Sequence, residues 1–294
     1  MIYQAENVYR VAAAHGEGAW WDDRRGELLF LDCAGHRLFT YDPETRSGAE
    51  HPLPFNPQAV CGLERGGYIA CAEKTIWRLD DDFCTVEKLA DTDNGAPESR
   101  YNDCKCGPDG AFWMGTLTSA GAFGLPGGGR LYRYAPDGDF SVVLDGVGLS
   151  NGFVWTRDLK TVYYTDTFGG VIYAFDYDGP AHALLNRRVL FRDPAVYPDG
   201  MTIDTDDRIW VALWGAAKVV CIDPETASIV HEVLVPGADL TSSACFGGTD
   251  FRTLFITTSR LGLTEADLAS KPDSGSLFAV RVDAQGSQFF RGAF

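Results

Sequence analysis

Four short stretches each place an oxygen-bearing side chain about ten residues ahead of an apolar, aromatic run. They are "GEGAWW" with Glu17, "YNDCKCGPDGAFWMG" with Asn102, "SNGFVW" with Asn151 and "YPDGMTIDTDDRIWVALWG" with Asp199. Taken singly, each reads as a turn or loop: Asn–Gly and Asp–Gly steps are turn formers, and Glu17 stands between two glycines. Taken together, they share a phase. Glu17 lies eleven residues before Leu28, Asn102 ten before Phe112, Asn151 eleven before Val162 and Asp199 ten before Ile209. At the same phase two further stretches offer Gln58 or Ala59, and Thr241 to Ser243. Independent turns have no reason to select oxygen donors each time. Two carboxylates and a pair of amides make a hard-donor set suited to Ca²⁺, Mg²⁺, Mn²⁺ or a borderline ion.

The elements that would position such a set repeat along the chain. Apolar strands begin near Leu28, Tyr68, Phe112, Val162, Ile209 and Leu254, at spacings of 40, 44, 50, 47 and 45 residues. Each is followed by a second strand that ends in a turn: "RLFTYDPET", "TIWRLDDD", "RLYRYAPDG", "VIYAFDYDG", "KVVCIDPET" and "SLFAVRVDAQG". β-Branched and aromatic residues dominate, and no convincing helical periodicity is present. About 45 residues per unit suits a four-stranded blade. The expectation is an all-β, six-bladed β-propeller with a central divalent-metal site, a single domain over residues 1–294. A sandwich or an irregular β-helix is the competing architecture. The strand-like "NVYRVAAA" ahead of Glu17 is expected to complete the last blade. In a propeller the innermost strand of each blade lines the central channel, which is where the shared phase would gather the oxygen donors.

Bulk composition narrows the partners. The 294 residues carry 25 basic against 41 acidic side chains, a net charge of −16. Such a surface repels nucleic acid and anionic membranes, so neither is expected as a partner. No basic segment with an apolar stretch opens the chain, and no apolar run approaches the length of a membrane span. Eight scattered cysteines, mostly within apolar strands, read as reduced thiols of a cytoplasmic protein. Cys104 and Cys106 form a C-x-C with no second pair at zinc spacing. Nothing signals an oligomerisation segment, so a monomer is expected.

Nearly end to end, the sequence resembles the SMP-30/gluconolactonase/regucalcin-like family. The resemblance rests on "GEGAWW", "RYNDCKCGPDGAFWMGT", "LSNGFVW", "YYTDT", "YPDGMTIDTDDRIWVALWG", "CFGG" near Cys245 and "SGSLFAVRV". It implies a six-bladed propeller with one divalent ion on its axis, and hydrolysis of a sugar aldonolactone to the free acid. It further implies Glu17, Asn151 and Asp199 as the protein ligands, with Arg100 and Asn102 contacting substrate. Ca²⁺, Zn²⁺, Mn²⁺, Mg²⁺ and Fe²⁺ all remain open, because ligand type alone does not choose among them. At such an ion Asp199 is the candidate to accept a proton from the attacking water, alone or with help from the ion.

Several readings stay open at this stage. Asn102 is a substrate contact or a fourth ligand. Arg100 binds substrate or pairs with Glu98 or Asp103. His15 shares a strand face with Glu17 and reads as a solvated histidine or as a support behind that residue. Trp20, Trp214 and Tyr197 are pocket walls or packing residues. Related sequences carry an acid in the loop after the third repeat's apolar strand. Here that loop, "TSAGAFGLPGGGR" at 118–130, has none, and it reads as a lid presenting Phe123. The alternatives to a lactonase are a hydrolase of another ester or phosphotriester, and a non-catalytic calcium-binding regulatory propeller.

Overall fold

The computed structural model describes residues 1–95, 98–118 and 127–294. Two strands open the chain, β1 (Ile2–Gln4) and β2 (Glu6–Tyr9). The first blade follows as β3 (Gly16–Asp22), β4 (Glu27–Asp32), β5 (Arg37–Asp42) and β6 (Ser47–Pro52). The second comprises β7 (Ala59–Gly62), β8 (Tyr68–Ala72), β9 (Thr75–Leu79) and β10 (Val86–Asp91). The third comprises β11 (Ser99–Cys106), β12 (Phe112–Thr118), β13 (Gly129–Tyr134) and β14 (Phe140–Val147). The fourth is β15 (Ser150–Trp155), β16 (Thr161–Asp166), β17 (Val171–Asp178) and β18 (Ala183–Arg192). The fifth is β19 (Tyr197–Ile203), β20 (Ile209–Trp214), β21 (Lys218–Asp223) and β22 (Ser228–Leu234). The sixth holds β23 (Thr241–Gly247), β24 (Thr253–Thr258) and β25 (Leu277–Arg281), with helix α1 (Glu265–Ser270) between the last two.

These are the blades of a six-bladed β-propeller, each an antiparallel meander. The six apolar runs of the sequence are the second strands, β4, β8, β12, β16, β20 and β24. They are buried almost throughout, because both faces of a second strand pack against neighbouring material. Outermost strands such as β6 and β18 are mostly exposed. That gradient explains why the second strands carry the clearest sequence signal.

The contacts divide the chain into two compact units, Met1–Asn56 with Asp193–Gln288, and Pro57–Arg192 with Phe289–Phe294. The first unit holds blades five, six and one. Its core joins Trp210, Ala212 and Val219 to Phe246, Leu254 and Phe278. The second holds blades two, three and four, with Trp113, Leu131, Phe153, Trp155 and Tyr164 in one cluster. Each fully buried aromatic or aliphatic side chain contributes roughly 1.5–3 kcal/mol of transfer free energy.

As expected, the N-terminal segment completes the last blade: β2 pairs antiparallel with β25, Asn7 opposite Phe278. It is shorter than "NVYRVAAA", and β1 does something the sequence did not announce. It adds to the fifth blade as a fifth strand, parallel to β22, with Ile2 opposite Glu232. Helix α1 is the second surprise. Thr264 and Asp267 form a reciprocal capping box, a signal present in "TEAD" but too short to register as periodicity. At the other end of the chain, Gly292 bridges to Leu63 and Phe294 stacks on Tyr134, within the second unit.

Candidate active site

First strands of consecutive blades pack on one another: β19 on β23 and β23 on β3 in the first unit, β7 on β11 and β11 on β15 in the second. Five of these six strands break register at the same point. In each, three steps along the first strand face two along its neighbour: Glu17 to Trp20, Tyr101 to Cys104, Ser150 to Phe153, Pro198 to Met201 and Thr241 to Ala244. One extra residue makes a β-bulge, which bends the strand and re-aims side chains. Asn102, Asn151 and Asp199 are each the first residue inside the bulge. Glu17 is the last paired residue before its own, and Gly18, at φ 62°, donates its N–H to Glu17 Oε2 at 2.8 Å. The shared phase of the sequence is therefore a repeated backbone defect.

In the first unit, β23 stands between the strands that carry Asp199 and Glu17. Ser242 Oγ donates to Gly16 O at 2.6 Å and meets Thr257 Oγ1 at 2.9 Å, so the hydroxyls of its bulge tie strands together. Gly200 passes close: a Cβ there would sit 2.6 Å from Ser243 Oγ and 2.9 Å from Ser242 O. Asp199 is only 6% exposed. A carboxylate so buried costs several kcal/mol unless its charge is met.

In the second unit the donors interlock. Asn102 Nδ2 donates to Ser150 O at 2.9 Å and to Asn151 Oδ1 at 3.1 Å. Asn151 Nδ2 in turn donates to Thr167 Oγ1 at 3.0 Å, which agrees with the sense of its amide, Oδ1 accepting from Asn102. Arg100 reaches back to the residue that precedes β7. Its Nη1 donates to Gln58 Oε1 at 2.7 Å and to Tyr101 O at 3.1 Å. Beside Asn102, loss of hydration pushes the Asp103 carboxyl up, against the pull of Lys105 and the Cys104 N–H.

Other acids serve the scaffold. Asp109 accepts from Trp113 Nε1 and Arg133 Nε, and Asp204 from Trp210 Nε1 and Arg208 Nε. Asp32 accepts the N–H groups of Ala14 and His15 and pairs with Arg37 at 2.6 Å. Burial alone would raise the Asp32 carboxyl, but Arg37 and the amides of His15, Ala14 and Ala34 hold it below the usual carboxylate range.

His15 corrects its sequence reading. It is half-buried, with Nδ1 3.0 Å from Ser259 Oγ and its ring edge-on to Trp214 at 5.6 Å. The bridge between His15 and Ser259 in the ladder explains this, and only the fold could reveal it. Trp20 is buried, whereas Tyr197 is 52% exposed. Phe123 and most of the loop 118–130 lie outside the described residues. All eight cysteines are unbridged and seven are buried; Cys84 is exposed. Among the described residues no group of three or more His, Cys, Asp or Glu side chains could hold a metal ion. By residue type, Glu17, Asn151 and Asp199 offer two carboxylates and an amide oxygen, donors whose chemistry suits a hard divalent cation. Sequence reasoning missed Thr167, and treated Gln58 and the Thr241 to Ser243 hydroxyls of β23 only as phase equivalents.

Comparison with known proteins agrees with this architecture. The family model described as the SMP-30/Gluconolactonase/LRE-like region matches residues 15–260. The chain belongs to that family. It is 33% identical over 269 residues to regucalcin of Oryctolagus cuniculus, covering 90% of each chain. It is 32% identical over 280 residues to a Bacillus subtilis (strain 168) protein provisionally named sugar lactone lactonase YvrE, covering 94% of each. In fold it is similar to the crystal structure of regucalcin, described as a calcium-binding protein, from Agrobacterium tumefaciens str. C58. That match has a TM-score of 0.91 at 20% identity and covers 100% of this chain and 99% of the other. No helix among the described residues is long and apolar enough to cross a membrane.

Proposed function

We propose that this protein is a divalent-metal-dependent lactonase that hydrolyses a sugar aldonolactone, a pentono- or hexonolactone, to the free acid. The whole chain acts as one domain in this reading. Glu17, Asn151 and Asp199 hold the ion, and Arg100 and Asn102 contact the substrate. The observation that carries the reading is the repeated bulge, which gives Asn102, Asn151 and Asp199 equivalent places on three first strands. Relatives named as a sugar lactone lactonase and as regucalcins support the same class.

When bound, a divalent cation polarises the lactone carbonyl and acidifies water. Asp199 accepts the proton of the attacking water. Its burial keeps bulk water from competing for that carboxylate. Arg100 donates to ring hydroxyls and to the oxyanion that develops as the carbonyl carbon becomes tetrahedral. Asn102 spends its Nδ2 on Ser150 and Asn151, and so orients the Asn151 oxygen from behind. Its own Oδ1 is the atom that addresses substrate.

The test is proton release from xylono-, arabino-, galactono- and gluconolactones by metal-stripped protein. Ca²⁺, Mg²⁺, Mn²⁺, Zn²⁺ or Fe²⁺ is restored singly, and each rate is read against spontaneous hydrolysis. Metal-dependent acceleration of one sugar is the expected result. A flat panel together with tight Ca²⁺ binding would favour a non-catalytic calcium-binding propeller, in keeping with the calcium-binding Agrobacterium neighbour.

A further inference from the structure

We infer that Gln58 is a positioning residue for Arg100, and that its neutral amide orients the guanidinium without cancelling the charge the lactone is to meet. The inference rests on the reading of Arg100 as a substrate contact. It starts from β7, whose paired range, among the described residues, contains no register break. β7 runs in unbroken register from Ala59 opposite Cys71 to Gly62 opposite Tyr68. Gln58 stands immediately before it, and its N–H donates at 2.8 Å to the O of Cys71, the residue that faces Ala59, so the pairing slips by one residue at Gln58. The Gln58 backbone is therefore fixed at the end of the strand where the other blades carry their bulges.

From that place its side chain reaches Arg100, which is itself paired with Leu117 in the third blade. Arginine has only donors, so the atom 2.7 Å from Nη1 has to be the amide oxygen. The same Nη1 also donates to Tyr101 O at 3.1 Å. Two acceptors on one terminal nitrogen fix the plane of the fork, because the guanidinium is rigid. A carboxylate at position 58 would do this more strongly, but it would also neutralise the group. A charge-assisted bond to a neutral amide supplies the orientation and leaves the formal charge in place.

The experiment compares Gln58→Ala and the near-isosteric Gln58→Glu, each with Arg100 intact and with Arg100→Ala. It measures kcat and KM on the best lactone, bound metal and Tm. For Gln58→Ala the expected loss in kcat/KM is about tenfold, the scale of one hydrogen bond to a charged group, with metal content unchanged. For Gln58→Glu it is about a hundredfold, because the new carboxylate pairs with the guanidinium. In the Arg100→Ala background neither substitution should cost more than about twofold, since nothing remains to be positioned. Undiminished penalties in that background, or none with Arg100 intact, would overturn the inference.

A readout independent of turnover separates this inference from the lactonase reading. Nitrogen-15 relaxation at Arg100 Nε should report an ordered side chain in the native protein and a mobile one in Gln58→Ala. Equal order in both sinks the positioning role, whatever the protein hydrolyses. Altered order in a protein that turns over no lactone would keep Gln58 as the clamp on Arg100 and remove the substrate reading instead.

Discussion

Strand β19 and strand β7 are equivalent elements of the fifth and second blades, yet they deliver different things. β19 loses register between Pro198 and Met201, and the extra residue places buried Asp199 at its first position. β7 keeps register throughout, and the residue at its mouth, Gln58, reaches Arg100. A regular strand alternates its side chains strictly between two faces, so it cannot turn one toward its own end. A bulge breaks the alternation at a small cost in ladder hydrogen bonds. β23 makes the point from another side: it has the bulge, but fills it with Ser242 and Ser243, whose environment ties strands together. Backbone geometry thus sets where a side chain is aimed, and residue type sets whether it is offered to a ligand or spent within the fold.

The heaviest test of that contrast is Asp199→Ala. Turnover should fall by about 10²–10⁴-fold, the span of a lost general base, and metal retention should weaken. Full activity in this variant would mean that the β19 bulge aims nothing of catalytic use. Asn151→Ala should cost about 10- to 100-fold in metal affinity, read by titration of stripped protein, while leaving the fold intact. An unchanged affinity would move Asn151 from the ion to the scaffold.

Gly200→Ala probes the bulge without touching a donor. The added Cβ would meet Ser243 Oγ and Ser242 O inside contact distance, so an overpacking cost of about 1–3 kcal/mol is expected in urea unfolding, with reduced turnover. Gly179→Ala is the control. Its Cβ would meet only a Tyr177 ring atom at 3.7 Å, and a change within about 0.5 kcal/mol is expected. Equal effects of the two would show that β19 and β23 adjust freely.

The smallest effect concerns the entry to β3. Asp32, its carboxyl held low, clamps the N–H groups of Ala14 and His15. A group whose pKa is depressed by folding contributes stability above its unfolded value, about 3.9 for Asp. That contribution is lost as pH falls through the folded value. Tm should therefore decline below about pH 4, and Asp32→Asn should flatten part of that decline while lowering Tm at neutral pH.

The six second strands and their turns were legible because burial on both faces writes long apolar runs into the sequence. Glu17, Asn102, Asn151 and Asp199 were legible as a phase, although the cause of the phase was not. A bulge has no strong residue signature; the glycines beside Glu17, Asn151 and Asp199 mark three, while Asn102–Asp103 and Ser242–Ser243 have none. His15 could not be read correctly, since its partner Ser259 is 244 residues away. The role of Gln58 was hidden for the same reason, with Arg100 42 residues along the chain.

The pairing of β2 with β25 also has a consequence in time. Asn7 is made before its partner Phe278, which emerges 271 residues later, the difference of the two positions. At about 5–20 residues per second, roughly 15–55 s separate them on the ribosome. β2 is a bare strand edge throughout that interval, and β1 until β22 emerges; the outer member of the sixth blade waits for the inner ones. Blades two to four can form from local hairpins as they emerge, whereas blade six waits for the far end of the chain. The nascent protein should therefore depend most on chaperones, and be most open to proteolysis, at β1 and β2 and in the sixth blade.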